Sequence, residues 1–129
     1  MAETDTVAIT NNPLVRDKLR GRGVEFHDTD CLGVFTAVRD KIHLGHELLT
    51  HPLSGSIKPG QTPYKTVIVT GRKNALCRNA LSIIEESIQT CVKLTAGARN
   101  KKWSESLLAD FQLIDYNLIQ MGSMHTANE

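Results

Sequence analysis

The chain has 129 residues, of which 40% are hydrophobic and 22% charged, which is the composition of one ordinary globular domain. Its net charge of +1 excludes the marked basic excess with which most nucleic-acid-binding domains neutralise phosphates. We therefore expect no nucleic-acid partner and interpret the basic cluster of Arg99, Lys101 and Lys102 as a solvated turn. No apolar run approaches membrane-spanning length, so we also expect no membrane partner.

The cysteine content and the first residues indicate a compartment. The segment 1–6 is polar and acidic, without the basic start and apolar centre of a signal peptide. The three cysteines, Cys31, Cys77 and Cys91, are odd in number and widely spaced, and none forms a Cys-x-x-Cys pair. These features favour free thiols in the cytoplasm over a disulfide framework.

The first part of the chain alternates strands and helices. The apolar run Thr6–Thr10 predicts a strand that ends before Pro13, because a proline keeps the preceding residue out of helical dihedrals. Pro13 can then occupy the first position of a short helix over 14–20. The segment 24–27 predicts a second, weaker strand.

A longer helix is predicted over 31–44. The side chain of Asp28, Thr29 or Asp30 can accept a hydrogen bond from a free amide of its first turn. Gly45 can close the helix in a left-handed conformation. Four apolar residues recur at helical spacing and form its predicted buried stripe: Leu32, Phe35, Val38 and Ile42.

The second part of the chain contains two more strands and two long helices. Strands are predicted over 46–50 and 65–70, separated by a polar connection, and the continuous apolar centre of 65–70 is typical of a strand covered on both faces. Helices follow over 74–95 and from a Ser104 cap to about residue 121. Their predicted core-facing residues are Leu81, Ile84, Ile88 and Cys91 or Val92 in the first, and Leu107, Phe111, Leu113 or Ile114, and Leu118 in the second. Flexible tails are expected over 1–5 and 122–129.

This order predicts a single α/β domain over 1–129. Alternating strands and helices favour a three-layer arrangement with a four-stranded, mostly parallel sheet and helices on both of its faces. The step between the last two strands contains no helix, so an antiparallel pair at that edge stays open.

Ligands of open α/β sheets bind beyond the carboxyl ends of the strands, where the polar loops of this chain should meet. The connection 51–65 is long for a compact domain, and long connections often carry function. Its Ser-Gly-Ser turn offers hydroxyls and amides that suit an anion, its lysines add positive charge, and His51 can act as an acid, a base or a donor. The candidate ligand-binding residues are Asn11, Asn12, His51, Ser54, Ser56, Lys58, Tyr64 and Lys65.

Four segments carry a resemblance to a known family. They are TNNP at 10–13, HPLSGSIKP at 51–59, TPYK at 62–65 and DFQLID at 110–115. With them, the chain from about Val7 to Ile119 resembles the GrdX family, small proteins encoded beside the glycine, sarcosine and betaine reductase genes of amino-acid-fermenting bacteria. The resemblance implies an intracellular setting linked to that metabolism. It carries over no catalytic residue, and it does not imply that the chain is the reductase.

Two functions follow as hypotheses. The first is an accessory protein that binds a small anionic ligand or a protein of the reductase system. The second is a small enzyme that uses His51 with Ser54, Ser56 or Lys58 on a carboxylate or phosphate substrate. The sequence leaves the catalytic residues unknown and a homo-oligomer open.

Other kinds of site are weaker. His43, His46 and His51 are close in sequence, but Gly45 separates the first two, and we predict no metal and no other cofactor. Cys31 lies where a helix dipole can lower a thiol pKa, although a buried and inert thiol is the stronger interpretation. Neither a nucleotide P-loop nor a nucleophile elbow is present in the sequence.

Overall fold

The computed structural model describes residues 6–54, 59–96 and 102–127, which form a small sheet with helices on both faces. The strands are β1 (Thr6–Thr10), β2 (Val24–Phe26) and β3 (Thr66–Thr70). The helices are α1 (Pro13–Lys18), α2 (Cys31–His43), α3 (Arg78–Thr95) and α4 (Glu105–Ala127).

The sheet corrects the predicted fold class. It has three strands in the described residues, in the order β2-β1-β3, and not four strands that are mostly parallel. β1 and β2 are parallel, as expected for strands joined through a helix. β3 runs antiparallel to β1, with Thr66 opposite Thr10 and Thr70 opposite Thr6. The sheet is therefore mixed.

The predicted strand over 46–50 is wrong. This segment makes one isolated antiparallel bridge, between Leu48 and Val69 of β3. The Leu49 amide donates to Ile68 O at 2.8 Å, but the return bond, from the Ile68 amide, goes to the Thr50 hydroxyl at 3.0 Å. Because a side chain takes the place of a backbone acceptor, the regular ladder does not continue along this edge.

Local capping explains where most helices begin. The Asn12 side chain accepts from the Leu14 amide at 3.0 Å, with Pro13 as the first helical residue, and the Asp30 side chain accepts from the Gly33 amide at 2.9 Å. The Ser104 hydroxyl accepts from the Leu107 amide at 3.2 Å, as predicted.

Two of the predicted helix limits need comment. α3 begins at Arg78, four residues later than predicted, with Cys77 as its N-cap. After α2, Gly45 adopts a φ of +107°, and a side chain there would collide with the backbone of Asn74. The helix ends at Thr95, as predicted.

The core is divided by the sheet. One face carries the larger apolar cluster, in which Ile9, Val67 and Val69 pack against Phe35 of α2 and Ile84 of α3. Alternate strand residues point to the other face, because successive side chains of a strand point to opposite sides. There, Ala8 and Ile68 pack with Val15 of α1 and Ile119 of α4 in a smaller cluster.

The predicted core face of α4 is wrong. Up to Ile119, the buried residues of this helix are Asp115 and Ile119, and four of the expected core residues are 37–52% exposed: Leu107, Leu113, Ile114 and Leu118. The polar contacts of Asp115 described below set the rotation of α4, and they outweigh its leucine stripe. The helix extends to Ala127, past the predicted start of the tail, and none of the described helices is long and apolar enough to cross a membrane.

Candidate functional site

Three segments meet at the carboxyl end of β1. The segment before His51 is antiparallel to β3 and therefore runs in the same direction as β1, so it delivers residues 51–54 to this end. β3 begins here, because Thr66 lies opposite Thr10, and this places Tyr64 and Lys65 beside Asn11. The loop after β1 and residues 51–54 therefore lie at the same end of the sheet, as expected. The 46–50 segment reaches this end by pairing antiparallel with β3.

Asn11 ties these segments together through its side chain. Its Nδ2 donates to Thr29 O and to Pro63 O, each at 2.8 Å, and its Oδ1 accepts from the Lys65 amide at 2.8 Å. Both amide protons and the carbonyl are used within the protein. Asn11 therefore shapes the loops at this end of the sheet.

Asn12 joins the same end of the sheet to α4. Its Oδ1 caps α1, while its Nδ2 donates to Gln112 O at 2.9 Å and to Asp115 Oδ2 at 3.0 Å. The side chain is fully buried, so each of these bonds would be costly to lose. Asn12 thus fixes where α4 crosses the sheet.

Asp115 is the functional candidate that the residue pattern did not single out. Its Oδ2 also accepts from the Thr66 hydroxyl at 2.6 Å, and Thr66 Oγ1 lies 2.6 Å from Thr10 Oγ1. Burial raises the pKa of Asp115, while the hydrogen bonds from Thr66 and Asn12 and the charge of Lys65 act in the opposite direction. The one available signal was its position at the end of the 110–115 segment that carries the family resemblance.

Lys65 places an amine at the centre of this arrangement. The residue is 8% exposed, and its Nζ donates to Ser54 O at 2.9 Å. Burial lowers the pKa of Lys65, and the nearby Cys31 and Asp115 oppose that change. A buried lysine that contacts a backbone carbonyl is poorly compensated when charged.

A small crevice opens between this lysine and α4. Its volume of about 20 Å³ is close to the room that one water molecule needs. The polar lining comes from Ser54, Thr62, Tyr64, Lys65 and Asp115, and the apolar lining from Phe111, Ile114 and Leu118. The Tyr64 hydroxyl accepts from Gln112 Nε2 at 3.0 Å, so its own proton remains to be donated.

His51 does not line this crevice. It is exposed, and its Nδ1 accepts from the Leu53 amide at 3.1 Å, which closes the turn in which it lies. Ser54 does line the crevice and presents its carbonyl to Lys65. Ser56 and Lys58 lie outside the described residues. The ligand-binding roles of all these residues stay predictions.

The other candidate sites are dispersed or buried. His43 is exposed, whereas His46 is buried with its Nδ1 2.6 Å from Thr70 O. In the described ranges, no three histidine, cysteine or acidic side chains are grouped as metal ligands would be. The three cysteines are free thiols, with Cys31 and Cys91 buried.

One family model matches the chain. Its description is GrdX-like protein, and the match covers residues 7–123, which includes every part of the site described above. Neither a curated protein nor a solved structure matches the chain significantly. Because the family model covers nearly the whole sequence, this chain belongs to the GrdX-like protein family.

Proposed function

We propose that this chain is a non-catalytic, cytoplasmic accessory protein of glycine, sarcosine and betaine reductase metabolism that binds a small anion beside Lys65. The family supports the metabolic setting through its association with glycine reductase. The chemistry of the crevice supports the anion. A carboxylate is the form of anion that we expect.

The observation that carries this proposal is the buried amine of Lys65. Within the described residues its Nζ donates to one acceptor, the Ser54 carbonyl, although an ammonium group has three protons to donate. Asp115 is close enough to interact electrostatically, but its Oδ2 is already bonded to Asn12 and Thr66. A bound anion would supply further acceptors and negative charge to this amine, beyond those that the described residues provide.

The crevice also limits the size of the ligand. A volume of about 20 Å³ admits one small polar group, so a carboxylate head can enter while the rest of the molecule stays at the opening. The proton of the Tyr64 hydroxyl can be donated to a second oxygen of that head. Phe111, Ile114 and Leu118 form an apolar wall that tolerates methyl groups.

The family resemblance and the site involve the same parts of the chain. Asn11 and Asn12 come from the 10–13 segment, Tyr64 and Lys65 from 62–65, and Asp115 ends 110–115. These segments are far apart in sequence, yet hydrogen bonds join them directly. This supports a shared role in one site, whether the role is to bind the ligand or to hold the site in shape.

A binding role has more support than catalysis by His51. A general base must reach the group whose proton it removes, and the Nδ1 of His51 is occupied by its own turn. The exposed ring also lies outside the lining of the crevice. The described residues therefore offer a binding geometry around Lys65 and no nucleophile paired with His51.

The test is ligand binding by calorimetry and thermal shift, using glycine, sarcosine, betaine, acetyl phosphate and inorganic phosphate separately. We expect at least one of them to stabilise the wild-type protein and Lys65→Met to abolish the effect. Lys73→Met is the matched control, because Lys73 is an exposed lysine just after β3. Equal stabilisation of both variants, or of neither variant nor the wild type, would refute the proposal.

A second measurement does not depend on any variant. Because burial lowers the pKa of Lys65, an anion beside it should raise that pKa and cause proton uptake at alkaline pH. Calorimetry in two buffers of different ionisation enthalpy measures this uptake. Binding without proton uptake at any pH would place the anion somewhere other than Lys65.

A further inference from the structure

The antiparallel packing of α2 and α3 places two cysteines opposite each other. At one end of the pair, the Asn74 amide before α3 donates to Gly45 O after α2 at 2.8 Å. In the middle, Arg39 Nη1 lies 3.5 Å from Glu85 Oε1. Moving eight residues back along α2 and six forward along α3 reaches Cys31 and Cys91, so these face each other at the far end.

The surroundings of the two thiols agree with this placement. Cys31 and Cys91 are 6% and 0% exposed and belong to the same core cluster. Each thiol influences the other, because the neighbouring thiol raises the pKa of Cys31 and lowers the pKa of Cys91.

One of the two cysteines lines a surface groove. A groove of about 410 Å³ lies beside this end of the helix pair, and Cys31 is part of its wall. Thr95 and Trp103 also line the groove, whereas Cys91 does not. A small reagent in the groove would therefore meet Cys31 before Cys91.

We propose that Cys31 and Cys91 form a reversible disulfide, made by exchange with a small-molecule disulfide that enters this groove. It would join the first turn of α2 to the last turns of α3. This inference does not depend on the proposed anion site.

The exchange balances in two steps. The pair first gives one proton to solvent, and Cys31 attacks one sulfur of the reagent as the thiolate while the remaining proton stays on Cys91. This gives a mixed disulfide on Cys31 and releases one thiolate. Cys91 then loses that proton to the released thiolate and attacks the Cys31 sulfur, which expels the second thiolate. The proton first given to solvent then returns to the second thiolate, so the protein loses two protons and two electrons in total, and the reagent becomes two thiols.

Cys77 provides an internal control. Its Sγ lies 3.5 Å from the Ala80 amide and accepts from it as the N-cap of α3, at the end of that helix away from Cys91. We expect this thiol to stay out of the disulfide. Cys77→Ser should therefore leave the exchange unchanged.

The test exposes the native protein to bis(2-hydroxyethyl) disulfide, blocks the remaining thiols with N-ethylmaleimide and measures intact mass and peptides. The wild-type protein should lose two hydrogens, keep a single blocked thiol at Cys77 and recover three thiols after dithiothreitol. Its melting temperature should rise by several degrees when oxidised, because the link closes a long loop.

Two variants separate the steps. Cys91→Ser should stop at a mixed disulfide on Cys31, whereas Cys31→Ser should leave Cys91 unmodified in the folded protein. Three blocked thiols in the treated wild-type protein, or a disulfide that includes Cys77, would overturn the proposal. The wild-type result decides the matter even if a serine variant fails to fold.

Discussion

The two faces of the sheet are held by different interactions. On the α2–α3 face the contacts are apolar, and Phe35, Ile84 and Val67 are fully buried in one continuous cluster. On the α4 face the apolar cluster is small, and the helix is attached through the buried bonds of Asn12 and Thr66 to Asp115.

The two faces therefore contribute differently to the structure. Apolar burial is strong and not directional, so it supplies stability without fixing a register. Hydrogen bonds between buried polar groups are weaker in net terms but demand one geometry. The α4 face therefore sets the position of the helix that lines the crevice, while the opposite face keeps the domain folded.

Phe35→Ala should have the largest effect, because it removes a fully buried aromatic side chain from the apolar face. We expect a loss of about 3–5 kcal/mol in the free energy of unfolding, measured by urea denaturation. Leu113→Ala, at a position that is 52% exposed on α4, is the control and should cost below about 0.5 kcal/mol. A loss below about 1 kcal/mol for Phe35→Ala would contradict the assignment of stability to this face.

Thr66→Val should lower the free energy of unfolding by less than Phe35→Ala does, but its effect should be more local. It keeps the side-chain volume and removes the hydroxyl that donates to Asp115, so we expect a loss of about 1–3 kcal/mol. Amide hydrogen exchange should show lower protection in α4 and little change in α3.

The matched control is Thr36→Val, since the Thr36 hydroxyl bonds only to Leu32 O within its own helix in the described contacts. We expect a change below about 0.5 kcal/mol there. If Thr66→Val lowered protection in α3 as much as in α4, the two faces would not be separable in the way the structure suggests.

The smallest expected effect is the change in stability with pH that is due to Asp115. Burial raises the pKa of Asp115 above its ordinary value of 3.8, so the folded protein binds this proton more tightly than the unfolded chain. The stability that comes from protonation is fully present below pH 3.8 and is lost as pH rises through the folded pKa. Asp115→Asn does not titrate, so the wild-type protein should lose stability relative to this variant as pH rises from below 3.8.

The measurement is urea unfolding of both proteins across that acidic range. A wild-type protein that instead gained stability relative to Asp115→Asn with rising pH would mean that the hydrogen bonds from Thr66 and Asn12 outweigh burial. In that case, the hydrogen bonds that attach α4 to the sheet would be strongest when the Asp115 carboxylate is charged.

Local sequence signals predicted most of the elements. The three strands and four helices of the structure all lie within or close to predicted segments, since apolar runs, proline and capping side chains act over a few residues. Asn12, Asp30 and Ser104 act as N-caps, because each accepts a hydrogen bond from an amide only two or three residues further along the chain.

The direction of β3 could not be predicted in this way. The described residues between α2 and β3 form no helix, so they do not impose the crossover that makes neighbouring strands parallel. The 46–50 segment has a strand-like composition, but a strand forms only if its backbone groups pair regularly with those of β3. Here Thr50 supplies a hydroxyl where a strand would supply a carbonyl.

The location of the candidate site could be predicted only in part, because it depends on contacts between residues that are far apart in sequence. The strand-end argument pointed to Asn11 and Asn12, and the long connection pointed to Tyr64 and Lys65. The structure brings these four residues to one end of the sheet. Asp115 is separated from Asn12 by 103 residues and lies on a helix whose leucines suggested another buried face. Only the packed structure shows that a carboxylate, and not the leucine stripe, faces the sheet.

The irregular segment beside β3 has a consequence for association between molecules. β3 is an outer strand of sequence TVIVT, which has high β-propensity and no charge, and such edges readily add strands from other chains. Glu47 O, the Leu49 amide and the Thr50 hydroxyl occupy hydrogen-bonding groups along that edge. By covering the edge without extending the sheet, this short stretch guards the folded protein against aggregation through its most apolar strand.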